Sequence, residues 1–271
     1  MVDSAAGSGF EAGPSGLAVS LRGVTKVYDN GVTALGPLDL AVRQGEFVSL
    51  LGPSGCGKST ALRLIAGLGA PTSGTVQLSH HGGELRPGHA IGFVFQEPTL
   101  MPWASVRDNV RLPLKLAGMA AADADAKVTA ALARVGLADF AEAYPRELSG
   151  GMKMRVSLAR ALVTDPGILL LDEPFAALDE ITRFRLNNDL LALWRNLGKT
   201  VIFVTHSVFE SVYLSQRVVV MTARPGGVGA EIRIDAAEPR GEEFRTSAAY
   251  ADYCRRVSKA LAPSYSDRTA L

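Results

Sequence analysis

The chain has 271 residues, a formal net charge of +1 and 47% hydrophobic residues, a length that suits one compact core with a subsidiary lobe. Acids and bases are interleaved, so the charge names no nucleic-acid partner, and its two cysteines, Cys56 and Cys254, form no disulfide framework and fit a reducing compartment. No apolar run approaches the roughly twenty residues of a membrane helix, and residues 1–16, rich in Gly, Ser and Ala with acids, lack a signal peptide's basic and apolar regions and read as a flexible leader.

Residues 17–28 alternate apolar and polar positions through Leu17, Val19 and Leu21, then Val24 and Val27, as a half-buried strand does. Tyr28 stands at its end, placed either to stack on a nucleotide base or to cover the edge of the core. A turn at Asp29-Asn30-Gly31 follows, then strands over 37–42 and 46–51, the second apolar to its end and therefore central.

Next comes Gly52-Pro53-Ser54-Gly55-Cys56-Gly57-Lys58-Ser59-Thr60, the G-x-x-x-x-G-K-[ST] spacing of a P-loop, set between an apolar strand and a helix that reaches about Gly67. Its glycines let successive N–H groups point inward at an anion, and the helix start adds its positive end. Phosphate is the expected guest. Lys58 reaches the β- and γ-phosphates and Ser59 completes a Mg²⁺ shell. Cys56, among inward N–H donors and beside Lys58, is expected to favour its thiolate.

A short strand at 74–78 leads into a polar, glycine-rich hairpin tip at 80–88, where His80 and His81 read as loop residues because no third ligand accompanies them. The strand at 90–95 ends at Gln96, whose amide is placed to bind Mg²⁺ or a water at a strand's carboxyl end. Beyond it the texture turns helical. Ser105 and Asp108 form a variant capping box ahead of Val106, Val110 and Leu114, with Pro113 as an expected kink. Residues 123–135 form an alanine-rich helix ended by Gly136. Leu100-Met101-Pro102-Trp103, at the entrance to this lobe, is either core or a docking knuckle.

Leu148-Ser149-Gly150-Gly151-Met152 opens a helix over 153–163 and leaves a second set of backbone N–H donors in the same chain. Two copies meeting across a two-fold axis can close such a Ser-Gly-Gly over phosphates held by the other copy's P-loop. Ile168-Leu169-Leu170-Leu171-Asp172-Glu173 is a buried strand delivering two acids. Asp172 points to a metal shell and Glu173 to a water aimed at the γ-phosphate. Asp179 is a helix N-cap. A buried strand at 200–205 stops at His206, either a donor to the γ-phosphate or a structural histidine. A last sheet strand at 217–221, a turn at 223–227 and an edge strand at 228–234 precede a polar tail, in which 248–261 forms one amphipathic helix of unassigned use.

With Leu148-Ser149-Gly150-Gly151 lying between a P-loop and the Asp172-Glu173 strand, residues 17–225 resemble the ATP-binding subunits of ABC transporters. Tyr28 falls on that family's adenine-stacking aromatic, residues 52–60 on Walker A, Gln96 on the Q-loop and 148–152 on the signature. Asp172 falls on Walker B, Glu173 on the catalytic glutamate, Asp179 on the D-loop and His206 on the switch histidine. Met152 departs from the Gln that many members carry. The resemblance implies an α/β fold, a RecA-like P-loop NTPase core with an antiparallel β part and an inserted helical subdomain at about 97–160. The ATPase domain then spans 17–234 and a C-terminal tail 235–271.

The wording around Gln96, Asp179 and His206 is similar to importers of nitrate, sulfonate, taurine, pyrimidines and riboflavin precursors. That likeness implies ATP and Mg²⁺, a homodimer or a pairing with a second ABC subunit, membrane permease subunits and, indirectly, a substrate-binding protein. It also implies a peripheral position on the cytoplasmic face of a bacterial inner membrane. The alternative is an ABC-type ATPase not coupled to import, an exporter ATPase or a non-transport factor; the sequence shows neither the second cassette nor the long heptad insert usual in the latter.

Overall fold

A computed structural model of the chain describes residues 16–80, 83–84, 91–236 and 240–266. Residues 1–15 of the leader, His81 and most of the expected hairpin tip lie outside the described residues. Two sheets make up the β structure. The first is antiparallel, in the order β2 (Thr33–Arg43), β1 (Leu17–Val27), β4 (Ser73–His80) and β5 (Gly83–Glu84). The second has six strands in the order β10-β9-β3-β8-β7-β6, formed by β3 (Phe47–Leu51), β6 (Ile91–Val94), β7 (Ile168–Asp172), β8 (Thr200–Thr205), β9 (Arg217–Met221) and β10 (Val228–Arg233). All pair in parallel except β10, which runs antiparallel to β9 at the edge. β2 begins at Thr33, four residues before the strand expected at 37–42, because its first residues pair with Lys26 and Val27.

The central strands are apolar on both sides because both faces are covered. Phe47, Leu51, Leu169, Leu171, Val201, Phe203, Val218 and Val220 enter one core cluster, and the intervening Val48, Leu50, Ile168, Leu170, Ile202, Val204, Val219 and Met221 enter the other. The strand's two-residue period thus sorts each side chain to one of two cores. α1 (Lys58–Ile65) and the antiparallel sheet cover the second face, through Ala61, Leu62, Leu64 and Ile65 with Val19, Leu21, Leu38 and Leu40.

The first face is covered by helices. α2 (Val106–Leu116), α3 (Ala121–Arg134) and α4 (Gly150–Leu162) pack on one another, and α5 (Glu180–Leu197) and α6 (Val208–Leu214) lie beside them. Ser105 caps α2, accepting from the Asp108 N–H at 3.1 Å, and the helix runs through Pro113 to Leu116. α4 starts at Gly150, three residues before the expected point, since Ser149 accepts from the Met152 N–H and so draws both glycines into the first turn. α5 is pinned to the sheet by Trp194, which meets Phe47 edge-on and donates to Gly45 O.

The C-terminal segment is part of this core. α7 (Glu242–Thr246) and α8 (Ala248–Leu261) precede α9 (Pro263–Ser266), and α8 buries Tyr250, Cys254, Val257 and Leu261 against α6, β9 and β10.

Candidate functional site

Because β3, β8 and β7 are parallel and in register, with Leu51 opposite Thr205 and Asp172 opposite Val204, their carboxyl ends stop at one edge of the sheet. The loops leaving that edge carry Gly52, Asp172, Glu173 and His206, so residues far apart in sequence converge where parallel sheets usually bind ligands. The P-loop, residues 52–57, turns directly into α1. Gly57 is the N-cap at φ 97°, and a Cβ there would lie 2.6 Å from Ala34 O, so only glycine fits. Arg224 donates to Gly55 O from outside, and Gly226 packs so close to Cys56 that an added Cβ would sit 1.9 Å from its carbonyl oxygen. Sequence reading missed both supports; the 223–227 segment carried only a turn signal.

Lys58 is buried, and its Nζ donates to Gly52 O at 2.8 Å and Pro53 O at 3.0 Å while lying 3.9 Å from Glu173 Oε1. Ser59 Oγ donates to Asp172 Oδ1 at 2.8 Å. Asp172 is 8% exposed, and burial pushes its carboxyl above the usual range despite the Ser59 hydrogen bond. Glu173 begins the loop after β7 at φ 48°, an uncommon conformation for a residue with a Cβ, and its N–H donates to Val204 O. His206 Nδ1 lies 3.0 Å from Glu173 Oε1. Tyr28 is exposed, with its hydroxyl 3.2 Å from Thr60 Oγ1, so its ring stands beside the start of α1.

These residues suit a phosphate and a divalent cation. A buried ammonium whose shortest hydrogen bonds go to loop carbonyls can exchange them for phosphate oxygens, and a buried acid bonded to a hydroxyl is an oxygen donor set that a hard cation completes. Ser54 and Gly55 are exposed in the same turn.

Other expected members lie on other segments, Gln96 at the same sheet edge because Val94 of β6 pairs with Leu171 of β7. Gln96 is exposed just past the end of β6, in a segment held by Arg160, which donates to Pro98 O, Thr99 O and Thr99 Oγ1. Buried Asn109 organises the next turn by accepting from the Met101 N–H and donating to three carbonyls. The knuckle divides: Leu100 packs on the core, whereas Trp103 is 77% exposed. Ser149 caps its own helix, Gly150 faces Leu178 and Gly151 faces Thr182, so their contacts lie on the α5 side of the molecule. Asp179 caps α5, accepting from the Thr182 N–H at 2.9 Å, and that bonding to Thr182 holds its carboxyl below the usual range.

Cys56 overturns an expectation. Its side chain is 1% exposed and packs toward Gly52, and burial raises the thiol above its usual value in spite of Lys58. The thiolate is therefore disfavoured. Cys254 is raised by burial as well.

Residues 35–176 match the ABC transporter family model. The chain is 47% identical over 247 residues to an uncharacterized ABC transporter ATP-binding protein of Methanocaldococcus jannaschii, covering 90% of this chain and 91% of the relative. It is 45% identical to a taurine import ATP-binding protein of Jannaschia sp., covering 83% of this chain and 84% of that one, and 46% identical to a nitrate import ATP-binding protein of Synechocystis sp., covering 81% of each. Among solved structures, a dimeric ATP-binding cassette in a post-hydrolysis state bound to ADP and Pi superposes with a TM-score of 0.70 at 35% identity, covering 81% of this chain and all of the other.

Proposed function

From the premise that the chain belongs to the ABC transporter family of ATP-binding proteins, we propose the following division of labour for its ATPase chemistry. The chain is an ATP-hydrolysing subunit that powers solute import. Gly52, Pro53, Ser54, Gly55, Cys56, Gly57, Lys58, Ser59 and Thr60 cradle the triphosphate, mainly through backbone N–H groups, and Tyr28 stacks on the adenine. Ser59, Asp172 and Gln96 would hold Mg²⁺, which would neutralise charge on the phosphate oxygens.

Glu173 orients the attacking water and accepts its proton. Lys58 stabilises the charge that spreads over the transferred phosphoryl group. His206 donates a ring N–H to a γ-phosphate oxygen. Ser149, Gly150 and Gly151 close on the phosphates of a second copy's P-loop, with Asp179 at the same boundary, in a homodimer or a pairing with another ABC subunit. The observation that carries this reading is the convergence of Lys58, the Ser59–Asp172 pair and the Glu173–His206 pair on one sheet edge.

No helix among the described residues is long and apolar enough to cross a membrane. Transport therefore calls for separate permease subunits, with the chain seated peripherally on the cytoplasmic face and a binding protein delivering cargo on the other side. The exposed Trp103 knuckle of the helical lobe is the surface we assign to the permease. Relatives named for taurine, nitrate and aliphatic sulfonates favour a small solute bearing an oxyanion group.

Glu173→Gln keeps the shape of the side chain and removes the base. Its ATPase rate is expected to fall by at least about a hundredfold, with ATP now trapping a dimer visible by light scattering. A parent rate in this variant would overturn the role of Glu173.

A further inference from the structure

Behind His206 the side chains close a circuit. Thr205, buried at the end of β8, donates its hydroxyl to Glu210 Oε2 at 2.5 Å and accepts the Ser207 N–H at 3.0 Å. One hydroxyl thereby spans the backbone on both sides of His206. Glu210 lies on α6, whose N-cap Ser207 accepts the Glu210 N–H at 3.3 Å. The other carboxylate oxygen of Glu210 faces Arg183 Nε at 3.8 Å. Arg183, one turn into α5, donates from Nη2 to Leu178 O at 3.0 Å and Ala176 O at 3.4 Å. Those carbonyls belong to the loop between Glu173 and Asp179, and Glu173 itself meets His206.

An acid at this position is costly if it only fills space. Glu210 is 8% exposed, and burial pushes its carboxyl above the usual range. An apolar side chain would fill the volume without desolvating a charge, and in some proteins a buried acid serves instead to fix one arrangement among several. The arrangement fixed here is that of a histidine whose own side chain is 44% exposed.

We infer that Glu210, acting through Thr205 and together with Arg183, is a positioning residue that holds His206 against Glu173 and ties the loop before Asp179 to the same support. This rests on the reading of Glu173 and His206 given above. It adds that the two loops are mechanically one unit, so that a displacement of His206 is felt at residues 176–178, next to Asp179.

The test is single-turnover ATP hydrolysis by the full chain carrying Glu210→Ala, Glu210→Gln or Thr205→Val, each alone and combined with His206→Ala. Glu210→Ala and Thr205→Val are expected to slow hydrolysis about tenfold with KM for ATP changed less than about twofold, since binding contacts are untouched. Glu210→Gln keeps an acceptor for the Thr205 hydroxyl and is expected to retain at least about half the parent rate. In the His206→Ala background neither Glu210→Ala nor Thr205→Val slows the reaction further, because residues acting as a unit are not additive.

Parent rates in both Glu210→Ala and Thr205→Val would overturn the inference. So would an equal loss with and without His206, which marks a general lesion. If Glu210→Ala does not fold, Thr205→Val, nearly identical in volume, decides by the same criteria. A parent rate for His206→Ala alone would overturn the site reading itself, and this inference with it; loss in His206→Ala with parent rates in the other variants overturns this inference only.

Discussion

Cys56 illustrates how a motif fixes the backbone more firmly than the side chains on it. The spacing of Gly52, Gly55, Gly57, Lys58 and Ser59 announces an anion cradle because N–H groups do the binding, and the chain folds those residues into a tight turn ahead of α1. Spacing does not say which side chains turn inward. Cys56 packs its sulfur toward Gly52, with Lys58 Nζ 4.0 Å away, and burial outweighs the attraction of that ammonium. Both cysteines are buried and their thiols raised, so neither is expected to react with a maleimide in the folded chain, with or without nucleotide, and both are expected to react in denaturant. Mass spectrometry of the labelled chain checks this; rapid labelling of Cys56 in the native state would contradict its burial. Glu173 gave a different signal. Its acid and its place after an apolar strand were legible, whereas its left-handed backbone and its contact with His206 depend on β7 and β8 being neighbours, which no local pattern states.

At the scale of elements, legibility follows periodicity and length. The strands 168–172, 200–205 and 217–221 were readable as apolar runs since both faces of the sheet are covered, and 248–261 was readable as a helix from its one-sided apolar stripe. α6 was not, because it is seven residues long and its second half is buried all round, leaving no polar face to mark a period. The polar tail hid its role for a related reason: its anchor is an arginine. Arg240, 4% exposed, donates to Val212 O, Tyr213 O and Ser215 O at the end of α6 and to Ile234 O beyond β10. It supplies donors to carbonyls that a helix end leaves without intrahelical partners. Arg245 adds a contact 3.7 Å over the Tyr213 ring, and Tyr250 donates to Phe209 O. Arg240→Met keeps much of the stem but leaves these carbonyls buried without donors, and is expected to cost about 2–4 kcal/mol. A lower urea midpoint at unchanged slope would report it, and a midpoint equal to the parent's would show that other donors replace the guanidinium.

For the molecule as a whole, the placement of the P-loop and of Ser149, Gly150 and Gly151 bears on the functional unit proposed above. The P-loop lies at the carboxyl edge of the parallel sheet beside Asp172 and Glu173, while Ser149, Gly150 and Gly151 begin a helix whose neighbours are Leu178 and Thr182. If each catalytic pocket joins the P-loop of one copy to the Ser-Gly-Gly of another, lesions in the two segments complement each other. Lys58→Ala removes the phosphate cation, and Gly150→Asp, at an exposed position, sets a carboxylate against the phosphates. In either homodimer both pockets are damaged. In a mixed dimer one pocket collects both lesions and the other has none, so mixing two inactive proteins restores activity. An equimolar mixture forms about half mixed dimers, each with one sound pocket, so about a quarter of the parent rate is expected if pockets turn over independently, and less if they must act together. Pockets built within single chains would give no recovery, because every pocket in the mixture would then carry one lesion.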